Sequence, residues 1–108
     1  MKDQKSPGDR YLNMLEAVAN PHRIRILAAL QSKGRNYVSQ LARDLEISRP
    51  LMHLHLQRLE EAGLVESRLE LSRDGKALNY FEVRDFAFQL TPSAIAAAAQ
   101  SLTTRPRT

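Results

Sequence analysis

The chain has 108 residues, of which 43% are hydrophobic and 26% are charged, a composition typical of a single small globular domain. Sixteen Lys and Arg residues against twelve Asp and Glu residues give a formal net charge of +4, a moderate excess that is compatible with a polyanionic partner. Because the sequence contains no cysteine, it excludes disulfides, thiolate metal sites and thiol redox switches.

The polar terminal segments and the short apolar runs predict the compartment of the protein and the limits of its domain. Residues 1–8 are polar and lack the apolar stretch of a signal peptide. No apolar run approaches the roughly 18 residues that a membrane span requires. We therefore expect a cytoplasmic protein without membrane contact. It should have a disordered tail over 1–8, one domain over 9–103 and a second tail over 104–108.

Two helices are predicted in the first third of the chain. Asp9 is a candidate N-cap for the first helix. The apolar residues of this helix fall on one side: Tyr11, Leu12, Leu15 and Val18. Asn20-Pro21 interrupts it, and these two residues suit the cap and first turn of a second helix. Gly34 suits the C-terminal end of that helix.

Two further helices follow at close spacing. Residues 35–38 form a short extended stretch, after which Ser39 is the predicted cap of a third helix. Glu46-Ile47 allows only a tight connection. Ser48 then caps a fourth helix, which tolerates Pro50 in its first turn and ends at Gly63.

After Gly63 the pattern changes from helical to alternating. The segment 72–76, centred on Asp-Gly, predicts a hairpin between strands over 64–71 and 78–83. The alternation goes on through Phe86 and Phe88, so the second strand either continues to Leu90 or breaks near Asp85. Thr91-Pro92 predicts the start of a short Ala-rich helix over 93–102.

This order of elements predicts a winged helix-turn-helix over residues 36–90, in a mainly α fold with a β-hairpin wing. In such a fold the second helix of the pair enters the major groove of DNA, and the first holds its angle. The hairpin reaches phosphates or the minor groove. The sequence therefore predicts a protein that binds double-stranded DNA.

The fourth helix divides into a buried stripe and a polar face. At about 100° per residue, Leu56 and Leu59 each fall within about 40° of Met52, which predicts that the three are buried. Leu54 lies nearly opposite, where it either contacts a thymine methyl group or is an ordinary exposed leucine. Basic side chains on the wing either contact phosphates or are simply solvated. The predicted DNA-binding residues are Ser48, Arg49, Pro50, His53, Leu54, Gln57, Arg58, Arg68, Arg73 and Lys76.

The three histidines do not predict a metal site. His53 and His55 are two residues apart on a helix, where side chains do not face each other. We expect His55 to be a buried or partly buried structural residue and His53 to contact DNA or solvent. His22 is isolated near a helix start. Because no catalytic set or phosphate-binding glycine loop occurs either, we expect no enzyme activity, metal or cofactor.

Several segments resemble one family in the same order and spacing. The segment NPHRIRIL at 20–27 resembles the opening of ArsR-type winged-helix regulators. LA at 41–42 with LEIS at 45–48 is similar to a second motif, and HLQRL at 55–59 with EAGLV at 61–65 closely resembles a third. Arg73, Gly75 and Lys76, followed by Tyr80 and Phe81, look like the family's wing. The resemblance covers roughly residues 12–83.

The resemblance implies a homodimeric, sequence-specific transcriptional regulator, usually a repressor. In that family the first and last helices form the dimer interface. The matching residues here are Tyr11, Leu12, Leu15, Val18, Ile95, Ala98 and Leu102.

One departure from the family concerns sensing. Metal-sensing members carry a Cys-x-Cys where this chain has residues 37–39, or Asp and His ligands on the last helix, where 93–102 has none. We therefore expect that metals are not sensed by those routes, and the sequence identifies no small-molecule effector. Two alternatives stay open. One is a protein-protein interaction module in a larger assembly, suggested by Leu51 and Leu54. The other is a ligand- or metal-responsive switch with an unidentified sensor site.

Overall fold

The computed structural model describes residues 5–106, which contain five helices and one three-stranded sheet. The elements are α1 (Pro7–Val18), α2 (Pro21–Lys33), β1 (Asn36–Tyr37), α3 (Val38–Leu45), α4 (Arg49–Glu61), β2 (Val65–Leu71), β3 (Ala77–Val83) and α5 (Pro92–Ala99). This order confirms the predicted mainly α fold with a hairpin wing.

The wing is the hairpin of β2 and β3, and β1 pairs with the other edge of β3, so that the strand order is β1-β3-β2. The predicted Asp-Gly turn is confirmed: Gly75 adopts φ 84°, and the Ser72 N–H donates to the Lys76 carbonyl at 2.7 Å. β3 ends at Val83, which pairs with Val65 at the start of β2. The continuation to Leu90 is therefore wrong, because no partner strand extends beyond that pair.

The core lies where α2, α3 and α4 pack on the sheet. Met52, Leu56 and Leu59 have no exposed surface, which confirms the predicted stripe of the fourth helix. Burying side chains of this size contributes about 1.5–3 kcal/mol each, so this stripe fixes which face of α4 can meet solvent. The other buried apolar residues are Ala17, Ile26, Leu30, Val38, Leu41, Ala42, Leu64, Val65 and Phe81.

Three predicted helix caps are confirmed. The Asn20 side chain accepts from the N–H groups of His22 and Arg23 at 2.8 and 3.2 Å. Ser48 accepts from the Leu51 N–H at 3.2 Å and Thr91 from the Ala94 N–H at 3.1 Å. These bonds satisfy N–H groups that have no partner within the helix.

The predicted cap of α3 is wrong. Tyr37, not Ser39, occupies the N-cap position, and its side chain makes no capping bond. The reason is tertiary: Tyr37 pairs with Tyr80 across the sheet, and their rings pack edge to face with centroids 5.5 Å apart. The helix consequently begins at Val38, which is buried.

The predicted start of α1 is also wrong. Ser6 is the cap, since its hydroxyl accepts from the Asp9 N–H at 3.1 Å, and the helix begins at Pro7. The tail predicted over 1–8 is therefore too long. Its residues 1–4, like 107–108 of the predicted C-terminal tail, lie outside the described residues.

Asp9 has a different role from the predicted cap. Its carboxylate accepts from the backbone N–H groups of Thr103 and Thr104 at 2.9 and 3.2 Å, and from both hydroxyls. The hydrogen bonds from Thr103, first its hydroxyl and then its backbone, hold the Asp9 pKa well below its usual range. α5 itself ends at Ala99, before the predicted Leu102. The segment after α5, including Thr104 of the predicted tail, is thereby tied to α1.

α1 and α5 approach most closely at Gly8. Its N–H donates to the Ser101 hydroxyl at 2.8 Å, and a Cβ at this position would lie 2.2 Å from the Ala98 carbonyl oxygen. Only glycine fits this contact without a shift of backbone.

Three helices meet at the guanidinium of Arg23, on α2. Its Nε donates to the Ala17 carbonyl at 2.6 Å, and its Nη2 to the Glu16 carbonyl at 3.2 Å, both near the end of α1. Its Nη1 is 3.0 Å from Nδ1 of His55, on α4. Because a guanidinium can only donate, His55 Nδ1 must accept, which assigns the proton of the neutral ring to Nε2.

His55 is only 5% exposed, which agrees with its predicted structural role. Burial, and then the charge of Arg23, lowers the pKa of His55 below its ordinary value, with smaller contributions from His22 and Arg58. The His22 ring, which appeared isolated in the sequence, lies beside it with centroids 5.3 Å apart. A neutral imidazole is therefore part of the junction that orients α4.

We expect Gly8→Ala to destabilise the protein by about 1–3 kcal/mol, because the methyl group overpacks the contact between α1 and α5. Helix propensity alone would stabilise this variant by up to about 1 kcal/mol. A lower free energy of unfolding therefore indicates the close contact, and a higher one indicates helix propensity alone. Urea unfolding measures this change in the free energy of unfolding. Ser32→Ala, on the exposed side of α2, is the control and should change stability by less than about 0.5 kcal/mol. A Gly8→Ala protein that is more stable than wild type would contradict the close contact.

We expect His55 to make the protein less stable in mild acid. In the unfolded chain it binds a proton near pH 6.5, whereas the folded state resists protonation. Its contribution is therefore complete above that pH and is lost as the pH falls below it. Unfolding free energies measured from about pH 7.5 to 5 should fall less steeply for His55→Gln than for wild type.

The matched control is His53→Gln, which changes an exposed histidine on the same helix and should keep the wild-type dependence. Equal slopes for wild type and His55→Gln would contradict a neutral buried ring.

Candidate nucleic-acid interface

The turn between α3 and α4 sets the angle of the helix pair. Glu46 adopts a left-handed conformation with φ 58°, an uncommon region for a residue other than glycine. Its N–H donates to the Arg43 carbonyl at 3.3 Å, and the Ile47 N–H donates to the Ala42 carbonyl at 3.1 Å. Both bonds close the end of α3, and Ile47 packs against the core. α4 can therefore start at once from its Ser48 cap.

One face of α4 is exposed from its first turn onward. With Met52 and Leu56 in the core, the opposite side presents polar groups to solvent, and Leu54 among them is 44% exposed. Six of the predicted residues are exposed at the start of α4 or along this side of it, and we call them the reading face: Ser48, Arg49, Pro50, His53, Leu54 and Gln57.

The C-terminal end of α4 is acidic. Gln57 Nε2 donates to Glu61 Oε2 at 3.4 Å, and Glu60 Oε2 accepts from the Ser67 hydroxyl at 2.7 Å. Carboxylates repel phosphate groups, so the part of α4 that precedes Glu60 suits DNA better than its last turn, and helix-turn-helix proteins contact base edges from the N-terminal part of this helix.

Arg58 does not share the reading face. Around the helix it lies about 60° from His55, and its side chain lines a cleft with Arg23 of α2 and Asn13 of α1. It is exposed there, but it faces the neighbouring helices rather than the side that carries His53 and Gln57.

The three predicted basic residues of the wing are exposed, but they form two groups. Arg73 and Lys76 lie in the hairpin turn, next to Asp74, whose pKa is lowered mainly by a hydrogen bond from the Ser72 hydroxyl. The turn therefore carries two cations and one carboxylate. Arg68 lies further along the hairpin, opposite Tyr80.

Arg35, which the sequence pattern did not indicate, adds a cation beside Tyr80, the residue opposite Arg68 in the hairpin. The Arg35 guanidinium packs over the Tyr80 ring at 4.4 Å and pairs with Glu70 at 2.6 Å. The Arg35 guanidinium is also the main cause that lowers the pKa of Glu70. Because Arg35 and Glu70 are 35 residues apart, no local pattern could have predicted this pair.

The predicted dimer residues form an apolar groove of about 220 Å³ between α1 and α5. Ile95 and Leu102 are 49% and 44% exposed at its edge. Val18 is the exception, because it packs against the core instead. The predicted residues that line the groove are Tyr11, Leu12, Leu15, Ile95, Ala98 and Leu102.

Residues 5–106 contain neither a candidate metal-binding group nor a candidate membrane-spanning helix. Within residues 5–106, no three His, Asp or Glu side chains gather in a group that could hold a metal ion. No helix of that range is long and apolar enough to cross a membrane.

Known proteins resemble this chain in sequence and in fold. Residues 18–68 match the model of a family described as a helix-turn-helix domain. A helix-turn-helix-type transcriptional regulator of Methanocaldococcus jannaschii is 39% identical over 79 residues, which cover 73% of this chain and 81% of the relative.

Solved structures share the fold. A homodimeric winged helix-turn-helix DNA-binding domain of Mycobacterium bovis, described as a possible ArsR-family regulator, has a TM-score of 0.62 at 23% identity, covering 93% of this chain and 85% of its own. The transcriptional repressor BigR of Xylella fastidiosa has a TM-score of 0.59 at 23% identity, covering 85% and 78%. The chain therefore belongs to the helix-turn-helix transcriptional regulators, and it shares the winged-helix fold of these solved structures.

Proposed function

We propose that this regulator is a cytoplasmic homodimeric repressor that reads a specific sequence in double-stranded DNA through the reading face of α4. As a member of its family it is a DNA-binding regulator and not an enzyme. The observation that carries the proposal is the division of α4, which has a fully buried stripe on one side and exposed hydrogen-bonding groups on the other.

The reading face has the chemistry that base recognition needs. Arg49 can donate two parallel hydrogen bonds to guanine, and Gln57 can pair with adenine. His53 can donate to a base or a phosphate. The exposed Leu54 between them suits a thymine methyl group. A residue that served only solubility would not need to be apolar at this position.

The wing supports binding without specifying sequence. Arg73 and Lys76 at the turn are placed to contact phosphates, and Arg68 adds a third cation on the hairpin. Phosphate contacts release counterions, so they give an affinity that falls as salt increases. Arg58 contributes less in this proposal, since it faces the cleft between helices.

The groove between α1 and α5 supports self-association. It exposes apolar side chains at Ile95 and Leu102, which a second copy can bury by two-fold symmetry. A dimer would place two α4 helices for a palindromic site. The homodimeric Mycobacterium bovis domain and the repressor BigR share the fold, which supports the dimer and the repressor role. The absent family metal ligands support a regulator that does not sense metals by those routes.

We expect Arg49→Ala, His53→Ala and Gln57→Ala each to weaken specific binding by ~5- to 150-fold, because each removes about 1–3 kcal/mol of base discrimination. The operator is first selected from a random duplex library with the wild-type protein. Fluorescence anisotropy at two salt concentrations then compares this duplex with a scrambled one.

The control for these variants is Arg25→Ala, which removes an exposed cation from α2 and should leave specificity unchanged. If wild type binds both duplexes equally at each salt concentration, the protein is not a sequence-specific regulator. That result would favour the alternative of a protein-protein interaction module. If all three variants keep wild-type affinity, the reading face is misassigned.

We expect Ile95→Glu to convert a dimer into a monomer, because it places a charge in the apolar groove. Sedimentation equilibrium over a range of protein concentrations measures the change. Leu69→Glu is the control, since Leu69 is an equally apolar residue that is 69% exposed on the wing, far from the groove in sequence and fold. A wild-type monomer, or a variant that still dimerises, would refute the proposed interface.

A further inference from the structure

A second concave site lies away from the reading face, between α1, α2 and α4. This cleft has a volume of about 350 Å³, at the lower end of the size range of small-molecule sites. Its charged and polar lining residues are Asn13 and Glu16 of α1, Arg23 of α2, and Arg58 and Glu61 of α4. The three helices that the Arg23 junction joins therefore also form one cleft.

The guanidinium of Arg23 has hydrogen-bonding capacity left over on this side. Its Nη1 and Nη2 each carry two hydrogens, and each makes one bond, to His55 and to the Glu16 carbonyl. Each keeps a second N–H. Since Arg23 lines the cleft, these donors are available to a ligand that accepts hydrogen bonds.

The two guanidinium groups of the cleft lack carboxylate partners. In residues 5–106 the ion pairs are Arg35 with Glu70 and Arg84 with Glu66, so neither Arg23 nor Arg58 is paired. Burial, followed by the charge of Arg58, lowers the pKa of Arg23. A bound carboxylate between the two would offset their mutual repulsion, and guanidinium groups bind carboxylates in a planar, bidentate geometry.

The cleft also contains two acidic residues, which decide the class of ligand. Glu16 and Glu61 give the lining as much negative charge as the two arginines give positive charge. A simple anion such as phosphate would gain from the arginines and be repelled by the glutamates. A ligand that carries both a carboxylate and an ammonium group complements both pairs.

We propose that this cleft binds a small zwitterion of the α-amino acid class, with its carboxylate on Arg23 and Arg58 and its ammonium group on Glu16 and Glu61. Asn13 supplies an amide that can bind either group. These residues bind only the two charged groups that all α-amino acids share, so the identity of the side chain is determined by screening.

The position of the cleft makes this ligand an effector. α4 carries the reading face on one side and Arg58 on the other, while α1 carries Glu16 and also one wall of the apolar groove. A ligand that bridges α1 and α4 binds best at one angle between them, so it shifts the population toward that angle. This effector role rests on the proposed DNA-binding function, whereas ligand binding itself does not.

The test is isothermal titration calorimetry of the full chain, without DNA, against the twenty common α-amino acids at neutral pH. We expect at least one to bind. Two analogues of the ligand, one without the amino group and one without the carboxylate, should bind at least 10-fold more weakly, as expected when a charged hydrogen bond is lost. If no amino acid binds, or if the deaminated analogue binds equally well, the zwitterion site is overturned.

Variants then locate the site. Arg58→Gln and Glu61→Gln should each weaken binding by at least 10-fold, and Arg25→Gln, which removes an exposed cation of α2 outside the cleft, should not. Arg23 is not substituted, because its bonds hold three helices together. Wild-type binding by both Arg58→Gln and Glu61→Gln would overturn the assignment to this cleft.

A final titration separates the effector role from the proposed function. Operator affinity of the wild-type protein is measured with and without saturating amino acid, and we expect at least a 5-fold change, in the usual range of allosteric coupling. An unchanged affinity overturns the effector role alone. A protein that binds the amino acid but no DNA overturns the proposed function and leaves the site standing.

Discussion

The bonds of the Arg23 guanidinium hold the DNA-binding half of this protein to its N-terminal helix. The last carbonyls of a helix have no partner within it, and Arg23 satisfies those of Glu16 and Ala17 on α1 while it donates to His55 on α4. A single cation from α2 thereby fixes two helix positions at once. Removal of Arg23 would leave the Ala17 carbonyl and His55 Nδ1, which are in partly buried hydrogen bonds, without this donor, and that is destabilising.

α4 shows how this junction and the core together leave one surface free. Met52, Leu56 and Leu59 point into the core, and His55 is turned toward Arg23. Only the remaining sides can face solvent, and His53 lies on one of them. Two histidines that are separated by a single residue thus have opposite environments, since residues two apart on a helix project in different directions.

Local chemistry predicted much of the fold, and long-range contacts account for what it missed. Helical periodicity identified the buried stripe of α4, and short-range capping patterns identified Asn20, Ser48 and Thr91. The failures have distant causes. Asp9 binds Thr103, 94 residues away, and Ser39 lost its role because Tyr37 packs on Tyr80 from the wing. For the candidate site, the same limit explains why Arg58 lines the cleft and Val18 packs against the core. A helical wheel gives the angle of a residue on its own helix but does not show which neighbouring element lies at that angle.

The two contacts of α1 have a consequence for regulation. α1 contacts α5 on one side, where Gly8 allows close approach, and the Arg23 junction on the other. Such a helix cannot tilt without changing either the apolar groove or the cleft, because packed interiors transmit displacement rather than absorb it. Dimer formation and ligand binding would therefore act on α4 through the same rigid element. The Arg23 junction lies between the surface that would pair and the surface that would read DNA, so a shift of α1 would be felt at both.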